Sequence, residues 1–166
     1  MRTRFAACLL TAALVASGGC GLGVNLESAL TVTEVSSGWY DFGLVGGLNK
    51  MVPQVSFRLK NVAEKPLTQI QLIVSFWQDG ADGELDSKNV DGIGRAAVAP
   101  GNATDTIMVR ADTGYTLEQP RNELFTNSQF KDFTAKVFAK RDGKIVPLGE
   151  YKIERRILPH VEAALR

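Results

Sequence analysis

The sequence predicts an all-β protein built as an antiparallel β-sandwich of about seven or eight strands. Residues 52–78 carry two apolar alternations back to back. Val55, Phe57 and Leu59 form the first and Ile70, Leu72, Val74 and Phe76 the second, each with the period of two that gives a strand one buried face. Near the C terminus Phe133, Ala135, Val137 and Ala139 repeat the pattern ahead of Asp142-Gly143, a dipeptide that favours a two-residue hairpin turn. The chain has 166 residues, 45% hydrophobic and 22% charged, the length and balance of one domain around one core.

The N terminus reads as an address and not as part of that core. Arg2 and Arg4 precede an uncharged, Ala- and Leu-rich stretch over residues 5–16, and Ser17, Gly18 and Gly19 then supply small residues ahead of a cut. This is a secretory signal over residues 1–19, too short an apolar run for a membrane span of about 20 residues. Ser17-Gly18-Gly19-Cys20 resembles the lipobox of bacterial lipoproteins, with Ser17 where that family most often has Leu. The resemblance implies acylation of Cys20, and cysteine counting agrees. Cys8 is discarded with the signal, which would otherwise leave Cys20 a lone thiol in an oxidising compartment. The alternative is a secreted protein cut by an ordinary signal peptidase near the same place. Gly21, where Asp would retain a lipoprotein, implies by the same resemblance an outer-membrane protein on the periplasmic side of the envelope. Residues 20–28 form the lipidated cysteine and a short tether. Eight residues at about 3.3 Å each reach at most about 26 Å, which holds the domain close to the bilayer. Removing Arg2 and Arg4 leaves 17 bases against 18 acids, so the mature chain lacks the basic excess that nucleic-acid binding needs.

The sandwich is expected over residues 29–158. Residues 29–36 are rich in β-branched side chains and read as the first strand, with Leu30 and Val32 on one face and Thr31, Thr33 and Val35 on the other. Residues 37–50 place Trp39, Tyr40 and Phe42 between glycines and read as a loop or distorted hairpin. The three aromatics fit either a recognition platform or a plug at one end of the core. Pro66 cannot donate to a ladder, so the chain must turn or cross over between the two central strands. Asp79, Asp82, Glu84 and Asp86 have the oxygen chemistry of a calcium loop, but their spacing fails the EF-hand pattern and the same residues suit Asp-Gly turns. No metal or other cofactor is assigned. Residues 89–98 read as a strand weakened by Gly92 and Gly94, and Ala99, Pro100, Gly101 and Asn102 as a type II turn. Residues 103–111 then set Ile107, Val109 and Ala111 opposite Thr106, Met108 and Arg110. Residues 112–129 lose the rhythm. Pro120 is placed to begin a helical turn over residues 121–125, and an aperiodic segment of this length is a candidate functional loop, presenting Tyr115, Arg121, Asn122 and Phe125. Residues 133–140 and 145–155 form a closing hairpin whose lysines and arginines suit either anionic headgroups near the anchor or the protection of edge strands. Pro159 ends the last strand, and residues 159–166 are a tail.

One succession carries a family resemblance: a Pro-containing break after Asn61, a long apolar strand ending in Phe76-Trp77, an acidic glycine turn, and Val98-Ala99-Pro100-Gly101 before a Thr-rich strand. It resembles the small immunoglobulin-like or fibronectin-like domains, including the FxLYD type, of bacterial envelope proteins, over residues 52–110. The resemblance implies an immunoglobulin-like sandwich. Catalysis is not expected. His160, the sole histidine, lies in the tail, and Cys20 is committed to the anchor. Neither Gly21-Leu22-Gly23 nor Gly92-Ile93-Gly94 opens a helix after a strand, as a phosphate loop must. The expected function is a non-enzymatic, lipid-anchored periplasmic module that binds or scaffolds another envelope protein, through Trp39, Tyr40 and Phe42 or through Tyr115, Arg121, Asn122 and Phe125. A small-molecule or lipid-binding sandwich is one alternative, and an accessory subunit of a secretion or envelope-assembly machine is the other. An apolar cavity between the sheets would mark the first, and an exposed apolar patch near those aromatics the second.

Overall fold

The computed structural model describes residues 24–159, so the expected signal segment, Cys20 and the expected tail from His160 onward lie outside the described residues. Asn25 opens a single helical turn, α1 (Leu26–Ala29), by accepting the Glu27 backbone N–H at 3.2 Å. Leu26 and Ala29 are buried. The second half of the expected tether therefore docks on the body.

β1 (Leu30–Val45) and β2 (Leu48–Asn61) form one long antiparallel hairpin, so of the two readings of residues 37–50 the distorted hairpin is the one observed, more regular in its strands than expected. Gly46 and Gly47 both have positive φ, 60° and 85°, as a two-residue hairpin turn requires. Bulges between Thr33 and Ser36 and between Asp41 and Gly43 twist β1 without ending it. After the Pro66 break the chain crosses to a second sheet as β3 (Ile70–Gln78) and β4 (Glu84–Ile93). β4 starts well before the expected residue 89. Its acidic first half is accommodated because the Asp86 carboxylate receives backbone N–H groups from Asp112 and Thr113. β5 (Ile107–Arg110) and β6 (Tyr115–Leu117) return to successive stretches of β2. The strand expected from residue 103 is shorter because the Thr104 hydroxyl, not a ladder carbonyl, takes the Leu59 N–H at 3.0 Å. A 3-10 helix (Arg121–Thr126) follows Pro120, and β7 (Phe133–Arg141) and β8 (Lys144–Lys152) close the second sheet.

The two antiparallel sheets are β1-β2-β5, with β6 also on β2, and β4-β3-β7-β8. The protein is an eight-stranded all-β sandwich in which the first, second, fifth and sixth strands face the third, fourth, seventh and eighth, an immunoglobulin-like order. Val55, Phe57 and Leu59 of β2 meet Leu72, Val74 and Phe76 of β3 and Ala135, Val137 and Ala139 of β7 in the buried core, as their alternation predicts. Asn61 is fully buried where the sheets diverge. Its Nδ2 donates to the carbonyls of Lys65 (2.9 Å) and Val98 (2.8 Å), and its Oδ1 accepts the Ala63 N–H (2.9 Å).

Residues 153–158 do not extend β8. They cross to the free edge of β1, where Trp39 N–H donates to the Arg156 carbonyl and Leu158 N–H to the Trp39 carbonyl, both at 2.8 Å. A Cβ on Gly38 would come within 2.9 Å of Arg156 O and the Leu158 side chain, so this glycine permits the close approach. The sandwich thus has two distinct ends. Val24 and Leu26 lie beside Lys144 and Val146 at one. The Gly46-Gly47 turn lies at the other, separated from Leu30 by a strand of about 50 Å at about 3.3 Å per residue.

Candidate functional site

The two segments expected to meet a partner, residues 39–42 and 115–125, converge at the end of the sandwich remote from the N terminus. They divide between core and surface. Alternation along β1 turns Trp39 inward, where it is fully buried, with the ring centroids of Tyr115, Phe130 and Phe133 at 5.3–5.5 Å and Phe125 at 6.5 Å. Trp39 is therefore the centre of an aromatic core cluster and not part of a binding platform. Its buried Nε1 has no hydrogen-bond acceptor among the described residues. Tyr115 and Phe125 support that cluster. The Tyr115 hydroxyl accepts the Lys131 N–H at 2.8 Å and the Gln78 side-chain amide at 2.9 Å, and Phe125 packs edge-on against Phe130 at 5.5 Å. Arg121 forms an ion pair with Asp41 that fastens the 3-10 helix to β1, and Asn122 is exposed beside it.

The opposite face of β1 looks outward. Tyr40 and Phe42 stand there edge to face, with centroids 6.5 Å apart. The Arg110 guanidinium lies 3.4 Å over the Tyr40 ring and is held by its Nε donating to Gln54 Oε1 at 2.8 Å. Lys50 Nζ lies 5.0 Å over Phe42. On the same face Val52, the register partner of Tyr40, is fully buried. Toward the hairpin tip Phe42, Leu44 and Val45 are 52%, 71% and 46% exposed, and Met108 beside Arg110 is 46% exposed. A run of cation, ring, ring and cation bordered by exposed apolar residues has the chemistry of an interface anchor, where Tyr and Arg dominate binding energy. Arg110 and Lys50 were not among the expected contacts. Alternation sets Arg110 outward, but only the pairing of Gln54 with Arg110 and of Tyr40 with Val52 brings it over the ring.

The four acids considered for calcium are not gathered. Asp79 and Asp82 lie in the β3–β4 turn, whereas Glu84 and Asp86 lie on β4, and among the described residues no three potential ligands assemble as a metal site. Asp86 is engaged from within. Burial pushes its carboxyl up, but the N–H groups of Asp112, Thr113 and Ser87 together with Lys88 outweigh burial and hold it below the ordinary aspartate value. Asp132 is likewise held low, first by Arg155, which grips both its oxygens at 2.8 and 2.9 Å, and then by Lys152 at 3.3 Å. A carboxylate with a depressed folded-state pKa adds stability that is complete above the unfolded value of about 3.9 and is lost as the pH falls through the folded one. Urea unfolding at pH 7 and pH 3 is expected to show a large acid loss in the natural protein and a smaller one in Asp132→Asn. Equal losses would remove Asp132 from the acid response.

No protein-family model matches the chain, and no curated protein matches it. Among solved structures, a crystal structure assigned to an ApaA protein of Bordetella pertussis matches with 18% identity over 80% of this chain and 95% of that one, at a TM-score of 0.35. A likeness at that level carries no functional argument.

Proposed function

We propose that this is a non-enzymatic, lipid-anchored envelope protein, acylated at Cys20 and held on the periplasmic side of the outer membrane, whose outer sheet face binds another envelope protein. The observation that carries the reading is the outward ladder of half-buried Arg110, Tyr40 and Lys50 with exposed Phe42, bordered by exposed Leu44 and Val45. Its position supports the same reading. Leu26 is already packed, so the five residues 21–25 span at most about 17 Å from the anchor. Tyr40 then lies ten residues along β1, about 33 Å further on. A tether that short and a strand that long present the ladder away from the bilayer. Of the alternatives, the exposed apolar residues favour an accessory subunit with a protein partner. The space between the sheets is occupied by Trp39, Phe57, Phe76 and Phe133, each at most 1% exposed, which disfavours a small-molecule carrier.

A photo-crosslinking amino acid at Phe42 or Leu44, activated in intact envelopes, is expected to give one discrete protein adduct. Tyr40→Ala with Arg110→Glu should leave the fold intact and reduce the adduct at least about thirtyfold, the loss of one hot spot of about 2 kcal/mol. Persistence of the adduct in that double variant, or its absence from both positions, overturns the binding face. Mass spectrometry of the mature N terminus tests the anchor separately, and an unmodified Cys20 thiol overturns it.

A further inference from the structure

The end of the sandwich nearest Cys20 carries a second feature. A depression of about 520 Å³ opens between the start of β3, the end of β4 and the β7–β8 turn, lined by Ile70, Ile93, Arg95, Lys140 and Arg141 together with Asp91. On the other flank of the same turn a recess of about 210 Å³ is lined by Val24, Leu26 and Lys144, so the chain coming from Cys20 passes beside it.

Most cations of this end lack a carboxylate partner, Arg58 with Glu34 and Arg141 with Asp142 being paired there. Elsewhere Lys88, Arg121, Lys136 and Arg155 each meet a carboxylate, and Lys50 and Arg110 cover rings. Among the described residues, the cations with neither an ion pair nor a ring partner are Lys60, Lys65, Arg95, Lys131, Lys140 and Lys144. All but Lys131 lie at the Cys20 end, on the last residue of β2 but one, the β2–β3 and β4–β5 connections, and the β7–β8 hairpin. The far end carries the uncompensated acids Asp79, Asp82, Glu84, Glu118 and Glu123, while Glu27, Glu64, Asp91 and Asp105 temper the near end. The protein is therefore polarised along its strands, with its available positive charge toward the anchor.

We propose that the depression at the Cys20 end binds the phosphate of an anionic, hydroxyl-bearing phospholipid headgroup. Arg95, Lys140 and Arg141 converge from two elements, and a guanidinium with an ammonium suits a phosphate bearing a single negative charge. A bare anion would be repelled by Asp91, whereas a headgroup with hydroxyls beside its phosphate can donate to that carboxylate and to Gln71. The remaining acid, Asp142, is 3.6 Å from Arg141 with a side chain 88% exposed, and its place is fixed by the hairpin turn. The proposal rests on the reading of Cys20 as acylated, which is what brings a bilayer within the short reach of residues 21–25.

The mature chain, extracted from membranes into micelles of a neutral detergent and labelled with nitrogen-15, is titrated with dihexanoyl phosphatidylglycerol, dihexanoyl phosphatidylcholine and glycerol 3-phosphate. The phosphatidylglycerol is expected to shift the Ile93, Gly94 and Gly143 amides saturably, with the choline lipid at least about tenfold weaker. Arg95→Gln with Lys140→Gln and Arg141→Gln, all at the surface, should weaken binding about tenfold or more, and Arg95→Gln alone should move it in the same direction. Equal saturation by glycerol 3-phosphate assigns the same chemistry to a free phosphate ester. No saturable shift with either anion, or unchanged binding in the triple variant, overturns the site. The Cys20→Ser chain titrated in the same way keeps the site if the proposal holds, so failure of the anchor and failure of the pocket are read independently.

Discussion

Trp39→Ala is expected to lower the unfolding free energy by about 3–5 kcal/mol, the cost of deleting a large aromatic from a packed interior. The ring joins β1 to Tyr115 of β6, to Phe125 of the 3-10 helix, and to Phe130 and Phe133 leading into β7. Its removal leaves a void that four other rings cannot fill without leaving their own contacts. Trp39→Phe should cost less than half as much, because the indole N–H has no acceptor among the described residues to lose. Urea titrations followed by far-ultraviolet circular dichroism measure both. Equal losses from the two substitutions would mean that the indole N–H holds something the aromatic cluster does not account for.

Asn61→Leu is expected to cost about 3–5 kcal/mol without creating a cavity. Three hydrogen bonds of about 1 kcal/mol net are lost, and the Lys65 and Val98 carbonyls and the Ala63 N–H are left without that partner in a shielded place. Asn61→Asp is the sharper variant. It keeps an oxygen for Ala63 but sets another, charged, against the Lys65 and Val98 carbonyl oxygens, so at pH 7 it should be at least as damaging as leucine. The same titration decides it. A loss under about 1 kcal/mol for Asn61→Leu would show that the β2–β3 crossover and the Ala99–Asn102 turn hold together by other means.

What the sequence disclosed and what it hid follow from the range of the interactions. The alternations of β2, β3 and β7, the Asp142-Gly143 turn and the helical start after Pro120 depend on neighbours within a few residues, and each is in the structure where the pattern places it. The β1–β2 hairpin was legible only as a loop or distorted hairpin, because the bulge between Asp41 and Gly43 breaks the period of two just where Trp39, Tyr40 and Phe42 stand. That shift of phase also concealed which of the three faces inward. The candidate face was half legible. Tyr40 and Phe42 announce themselves by type, but Arg110 joins them through a pairing between residues 56 positions apart. Asp86 resembled a turn residue or a cation ligand because its partners, the N–H groups of Asp112 and Thr113, lie more than twenty residues downstream.

The seam between Trp39 and residues 156–158 has a bearing on how the molecule is made. Its two sides lie more than about a hundred residues apart in sequence, so cover for one edge of β1 waits for a segment made long after it. A polypeptide emerging from its amino end must hold a naked strand edge and an unclosed aromatic nest until residues 156–158 arrive. During that interval it is open to pairing with other chains and to capture by chaperones. Shortening the chain before Arg156 should therefore damage its maturation more than its composition would indicate.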